Sequence, residues 1–313
     1  MNAVLKSVSR SFYLTIRFLP RPVREPVSLA YLLARATDTI ADSATIPAAT
    51  RLTTLRAFVR VIAGELDFNA VEESLRDFAE QQRDLAERRL IENSRSHLEW
   101  LARLERADRD DVRGVLQTIV RGQELDLERF GDPATIVSLR SAAELDEYTY
   151  LVAGCVGNFW TQLGFRRLPP FASRSPDEMG ELGIAYGKGL QLINVLRDRP
   201  TDLANGRDYL PAEELAAASV TEVFHRWLDC AQEKIGAGID YSSSLTNWRM
   251  RFATALPALI GARTIARLRA AGSEAGKVKV PRKEVRQILV AGLPAAASFR
   301  LQALFQHLLA PPG

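Results

Sequence analysis

The sequence predicts an all-α fold on three observations. Apolar residues recur at i, i+3, i+4 and i+7 along most of the chain, the spacing that lines one face of a helix. Strand signals are scarce, and segments rich in Ala, Leu, Arg and Glu fill the intervals between punctuating prolines and glycines. The first helical segment, Val4 to Phe18, stops at Pro20-Arg21-Pro22, and Pro26 to Asp42 follows. Ala48 to Gly64, Val71 to Ala86, His97 to Ala107 and Asp110 to Phe130 come next, closed by Gly131-Asp132-Pro133. Ser141 to Gly164 precedes the breaker Pro169-Pro170, and Asp177 to Asp198 precedes Asn205-Gly206. Thr221 to Leu245, Met250 to Ala271 and Arg282 to Leu309 complete the set, the last broken near Pro294. The breakers are local and evenly spread, no low-complexity linker divides the chain, and no fixed period indicates a solenoid. At 313 residues the chain would fit two modest domains or one large one; the expectation is a single all-helical domain over 1–313.

Composition narrows the function classes. Apolar residues at 47% and charged residues at 25% describe a folded chain rather than a disordered one. A net charge of +3, from 41 basic and 38 acidic residues, is too balanced for nucleic acid as the main partner. Cys155 and Cys230 exclude a disulfide scaffold and cannot make a zinc site alone, which fits a reducing cytosol. The N-terminal run is interrupted by Lys6, Arg10 and Arg17 and lacks a signal-peptide core. Tyr148 to Phe165 carries no charge, but Gly154, Gly157, Asn158, Gln162 and Gly164 make it a poor membrane span and a good buried helix. Phe252 to Ala262 is too short to span and holds Pro257, so no transmembrane anchor is expected.

Two places carry acids at a useful spacing. Asp38 and Asp42, four apart, share one helix face, and Tyr31 and Arg35 lie on the same stripe. Adjacent carboxylates repel and destabilise a helix; a hard divalent cation such as Mg²⁺ reverses that sign. The plainer alternative is a solvated acidic face with Arg35 as a surface partner. The second place sets Gln191, Asn194, Asp198 and Asp202 on a polar stripe between Leu192, Ile193, Val195 and Leu196. Polar groups placed among apolar neighbours destabilise unless they meet a ligand. Arg207 and Tyr209 follow after a turn. Two acidic pairs, each with arginine nearby, read as two walls of one cavity that clamps a diphosphate through bridging Mg²⁺; the alternative is two unrelated surface faces. Between them, Tyr148 leads into a run of small and apolar residues, Val152 to Gly157, that suits tight helix packing or a hydrocarbon chain against the backbone. Cys155 there reads as a small buried hydrophobe, having no partner base.

These residues together carry a resemblance. Ser9-Arg10-Ser11-Phe12, the Asp38–Asp42 pair with Tyr31 and Arg35, Tyr148 leading into Val-Ala-Gly-Cys-Val-Gly, and Gln191-x-x-Asn194-x-x-Arg197-Asp198-x-x-x-Asp202 followed by Gly-Arg207-Asp-Tyr209-Leu-Pro occur in one order. The chain resembles the squalene/phytoene synthase family of head-to-head prenyl transferases, from Val8 to the basic segment Lys277-Val-Lys279-Val-Pro-Arg282-Lys283. The resemblance implies the helical isoprenoid synthase fold with a central cavity. It implies Mg²⁺ (or Mn²⁺) on Asp38, Asp42, Asp198 and Asp202, holding two farnesyl diphosphates. It implies phosphate contacts for Ser11, Arg35, Arg197 and Arg207, and phenols near the reacting carbons at Tyr31, Tyr148 and Tyr209. Phe12, Val152, Val156, Gln191 and Asn194 would line the substrate site. The reaction implied joins the two substrates through presqualene diphosphate, with squalene, dehydrosqualene or phytoene as product.

The wording at Ser9–Phe12 and Asp38–Asp42 is more similar to squalene than to phytoene synthases, which implies reduction by NADPH. Lys277 and Lys279 would meet its phosphates, outside any Rossmann fold; a solvated basic loop is the alternative. A synthase that stops before reduction and a non-catalytic prenyl-binding helical protein stay open as other readings. Two departures from the family pattern stand out: Pro200, expected to end or kink the helix before Asp202, and Thr201, where relatives carry an acid. His97, His225 and His307 are expected to be ordinary surface residues. A cytoplasmic protein is expected, with peripheral contact of Phe299–Leu309 on a membrane's inner face for product release; packing on its own domain is the alternative.

Overall fold

The structure, a computed structural model, describes residues 5, 7–8, 12–43, 45–130, 135–273, 276 and 278–311. Nearly all of it is helical, with one pair of two-residue strands, so the all-α fold class holds. The chain forms two compact units, 1–131 and 132–313, each described by itself.

In the first unit α1 is Phe12–Phe18, α2 Arg21–Asp42, α3 Ala48–Ala63, α4 Asn69–Gln81, α5 Leu85–Glu92, α6 Ser94–Arg103 and α7 Arg106–Arg129. The core helix is α2. Leu29, Leu32, Leu33, Ala36 and Ile40 are fully buried at helical spacing, against α3, α6 and α7. It starts where Pro20-Arg21-Pro22 marks a boundary, because a proline in the first turn loses no helical hydrogen bond. The expected Val71–Ala86 helix is two: Asp84 accepts the Ala86 N–H at 2.7 Å and caps a new helix. His97 corrects a surface assignment. It lies on the buried side of α6, its Nδ1 has no hydrogen bond among the described residues, and burial lowers its pKa to about 4.

In the second unit β1 (Val137–Ser138) pairs in parallel with β2 (Arg207–Asp208). Helix α8 (Ala142–Thr149) runs into a π-helical turn, Tyr150–Gly154, and then α9 (Cys155–Arg167). The unit is built on α10 (Pro176–Ala204), which packs along α9 and α12 (Val220–Ser244). Ser175 with Glu178 and Ser219 with Glu222 form capping boxes that start α10 and α12. Short α11 (Ala212–Ala217), α13 (Trp248–Ala271), α14 (Arg282–Ala297) and α15 (Leu301–Leu309) complete it. Packing of α9 on α10 is by glycine: a Cβ on Gly157 would stand 1.9 Å from the Gly183 carbonyl oxygen, and one on Gly187 2.2 Å from that of Ala153. Ala153 and Gly157 of the small-residue run are therefore taken up in helix packing. Cys155 is buried, and burial pushes its thiol up to about 12, away from nucleophilic use.

Two helix ends differ from expectation. Helix α10 neither ends at Asp198 nor breaks at Pro200; it runs to Ala204, where Asn205 and Gly206 N–H groups bond the carbonyls of Asp202 and Leu203 and Gly206 takes a φ of 76°. Likewise Pro294 lies inside α14, and the break falls at Phe299. Among the described residues no helix is long and apolar enough to cross a membrane.

Candidate active site

On the first unit, α2 presents Tyr31, Arg35, Asp38 and Asp42. The Tyr31 hydroxyl donates to the Val8 carbonyl at 3.2 Å. Arg35 pairs closely with Glu87 on α5 and stands 3.8 Å from Asp38. Gln123, buried on α7, donates its side-chain amide to Asp38 Oδ1, while its own Oε1 has no partner among the described residues. Asp42, in the last turn, is exposed. Desolvation first, then the Asp42 charge, raises the Asp38 pKa to about 7, against the opposing pull of Arg35 and Gln123. The Asp38 side chain keeps 46% of its accessible surface. The carboxylate is thus reachable from solvent. Sequence reasoning did not find Gln123 and Glu87; they lie on other helices, and no local pattern connects them to Asp38.

On the second unit, α10 carries the longer constellation. Asn194 donates to Gln191 Oε1 at 3.2 Å, and Gln191 donates to the Tyr148 hydroxyl at 3.3 Å. The Tyr148 ring stacks on Tyr209, with centroids 4.8 Å apart. Arg197 holds both oxygens of Asp198 in a fork. Because α10 is continuous, Asp202 stands one turn on from Asp198, on the same side. Tyr209 is placed from below: Arg199 grips Asp208 through two bonds of 3.1 and 2.8 Å, and Asp208 Oδ1 accepts the Leu210 N–H at 3.1 Å. That buried ion pair is another element the sequence reading missed, although Arg199 and Asp208 flank the residues it selected. Arg207 is half-buried on β2. Val152 is half-buried within the π-turn, and Val156 is 36% exposed on α9; such turns recur at functional sites because the extra residue re-aims its neighbours.

Four expected site residues have less to report. Ser11 and Lys277 lie outside the described residues, and Phe12 opens α1. Lys279 is exposed on the non-helical segment before α14.

The acidic pairs suit a divalent cation. Mg²⁺ keeps several waters and takes one or two carboxylates plus substrate phosphate, and a cation beside Asp38 would remove the Asp42 repulsion. Among the described residues no three His, Cys, Asp or Glu side chains gather into a closed metal site. Each acidic pair sets two carboxylates one helical turn apart.

Comparison with solved structures defines the class first. The fold is that of TcSQS in complex with the ligand E5700 (TM-score 0.71, 22% identity, 98% of this chain and 94% of that one). It is shared with a dehydrosqualene synthase in complex with ligand (TM-score 0.63, 20% identity, 95% of each chain). The squalene/phytoene synthase family model matches residues 5–284, and the chain belongs to that family. It is similar to the presqualene diphosphate synthase of Rhodopseudomonas palustris, 31% identical over 218 residues, 69% of this chain and 63% of the relative. It is similar to squalene synthase BSS of Botryococcus braunii at 29% over 204 residues, 64% of this chain and 39% of the relative. With the phytoene synthase of Mycobacterium tuberculosis it shares 27% over 219 residues, 68% and 57% of the two chains. The matched region spans less than two thirds of each of these relatives.

Proposed function

We propose that the chain joins two farnesyl diphosphates head to head, through presqualene diphosphate, to squalene. The observation that carries this reading is geometric: Asp38 and Asp42 stand one turn apart on α2, with Asp38 held by Arg35 and Gln123. Mg²⁺, or Mn²⁺, bound by Asp38 and Asp42 and by Asp198 and Asp202, would neutralise the diphosphate that leaves. Arg35 and Arg197, which hold Glu87 and Asp198 in this structure, and Arg207 would turn guanidinium groups to phosphate oxygens. The stacked rings of Tyr148 and Tyr209 offer π-faces to an allylic cation, which water would otherwise capture. Gln191 and Asn194 hold the Tyr148 hydroxyl in one orientation. The basic set of Lys279, Arg282 and Lys283 suits the phosphates of NADPH, the hydride donor that the final reduction requires, with Lys277 as its further member.

The same reading puts the protein in the cytoplasm, with farnesyl diphosphate as substrate and no nucleic-acid partner. A second reading ends at presqualene diphosphate, and the 31% identity to the Rhodopseudomonas palustris enzyme favours it. One experiment separates them: incubation with farnesyl diphosphate and Mg²⁺, with and without NADPH, and product identification by mass spectrometry. Squalene formed only with NADPH supports the first reading, and presqualene diphosphate in both arms supports the second. No consumption of farnesyl or any longer prenyl diphosphate overturns both.

A further inference from the structure

The polar stripe of α10 extends one turn before Gln191. Lys188 stands three residues earlier, on the same side of the helix. Its ammonium group donates to Asp146 Oδ2 on α8 at 2.7 Å. The same nitrogen lies 5.8 Å from the centroid of the Tyr150 ring, within cation–π reach. The stem lies against the end of the π-turn, since a Cβ placed on Gly154 would be 3.2 Å from Lys188 Cγ. One side chain of α10 thus meets α8 and both ends of the π-turn, Tyr150 and Gly154.

Those contacts bracket Tyr148. Asp146 precedes it, Tyr150 follows it, and Gln191 meets its hydroxyl from the next turn of α10. Stability does not account for the lysine. Its side chain keeps 15% of its accessible surface, but the Asp146 side chain keeps 53%. A pair with one partner so exposed contributes little to stability, and methionine would carry the same stem along the same path. What the charge adds is fixation: it ties α10 to the segment on either side of Tyr148, where the chain takes the rare π geometry.

We propose that Lys188 is a positioning residue, which clamps the junction of α8 and the π-turn so that the Tyr148 ring is held in its stack on Tyr209. The proposal rests on the reading that Tyr148 serves the allylic cation, and it adds a residue that acts through Tyr148 rather than on the substrate. Stabilisation of a cation by a ring acts at short range and depends on where the ring stands. Misplacing a catalytic group by about 1 Å can cost about 100-fold in rate. Releasing one clamp beside Tyr148 should therefore lower kcat and leave KM almost unchanged, because the ring meets the cation and not the bound diphosphate.

The test measures kcat and KM for farnesyl diphosphate, with a thermal melt of each protein. The proteins are wild type, Lys188→Met, Lys188→Arg, Tyr148→Leu and the double variant Lys188→Met, Tyr148→Leu. Lys188→Met should lower kcat about tenfold, keep KM within about twofold and melt within about 3 °C of wild type. Lys188→Arg keeps the charge and its contact with the Tyr150 ring, and should bring kcat back to within about threefold of wild type. Without the Tyr148 ring there is nothing left to position, so adding Lys188→Met to Tyr148→Leu should change kcat by less than about twofold. Wild-type kcat in Lys188→Met would overturn the proposal, and so would an equal loss in both backgrounds, which would make Lys188 act elsewhere. A large fall in melting temperature for Lys188→Met would overturn it as well, making the lysine a stability element. If Tyr148→Leu turns over like wild type, or wild type consumes no prenyl diphosphate, the underlying reading fails and the proposal with it. A missing Lys188 effect beside an intact Tyr148 effect sinks the proposal alone.

Discussion

Gln191 on α10 donates its side-chain amide to the Tyr148 hydroxyl at 3.3 Å, joining residues from separate helices of the second unit. Because Tyr148 also stacks on Tyr209, the bond sets the position of two phenols. A single such hydrogen bond is worth about 0.5–1.5 kcal/mol. Gln191→Leu should therefore lower turnover of farnesyl diphosphate about tenfold, with the circular dichroism spectrum unchanged. Turnover equal to wild type would separate Gln191 from the chemistry.

Asp38 gives a pH dependence with a definite sign. Its folded pKa, about 7, lies above the ordinary carboxylate value of 3.8. The folded state therefore binds a proton that the unfolded chain releases, and the metal-free protein loses stability from this group as pH rises from about 4 through about 7. A bound cation favours the ionised form. The rise in melting temperature on adding Mg²⁺ should be larger at pH 8 than at pH 6, and Asp38→Asn should abolish that difference while raising the metal-free melting temperature at pH 8. A Mg²⁺ effect independent of pH would refute the assignment of Asp38 as a ligand.

The second pair makes a separate case. Pro200 does not interrupt α10, so Asp198 and Asp202 share one side of a continuous helix. Asp198→Ala and Asp202→Ala should each reduce turnover about a thousandfold, and within about tenfold of each other. Near-normal turnover in Asp202→Ala would mean that the second carboxylate lies outside the metal site.

Much of this was legible in the sequence because it is local. The stripe from Gln191 to Asp202 and the pair Asp38–Asp42 follow from helical periodicity, and the proline and glycine breakers located most helix ends. The parts that stayed hidden are tertiary. Gln123 and Glu87 reach Asp38 and Arg35 from other helices, and His97 is buried by packing that its own neighbours do not announce. Pro200 and Pro294 misled for a common reason: a proline removes one backbone donor, but capping groups downstream, at Asn205–Gly206 and at Ser298–Arg300, decide where the helix stops.

Arg251 is predicted to secure the C-terminal helices. It is 2% exposed, and its guanidinium donates to the Leu245 carbonyl at 2.6 Å and to the Ala296 carbonyl at 2.7 Å, the ends of α12 and α14. A cation at two helix C-termini is favourable, and removing it strands two buried acceptors. Arg251→Met should cost about 3 kcal/mol, lowering the melting temperature by roughly 5–10 °C. Arg251→Lys should recover less than half, since one ammonium group lacks the span of the fork. A thermal melt of the three proteins decides it.

The glycine contact between α9 and α10 should be far less forgiving than its sequence suggests. Gly157→Ala would place a methyl group 1.9 Å from the Gly183 carbonyl oxygen, a backbone atom that cannot swing aside. The two helices would have to separate, at a cost of about 3 kcal/mol or more, and the π-turn beside the contact would move the Tyr148 region with them. Gly180→Ala, on the same α10, meets nothing within 4 Å and should raise stability by about 0.5–1 kcal/mol through helix propensity alone. Chemical denaturation of both variants measures the contrast. If Gly157→Ala unfolds like wild type, the close approach of α9 and α10 is not what holds the second carboxylate helix in place.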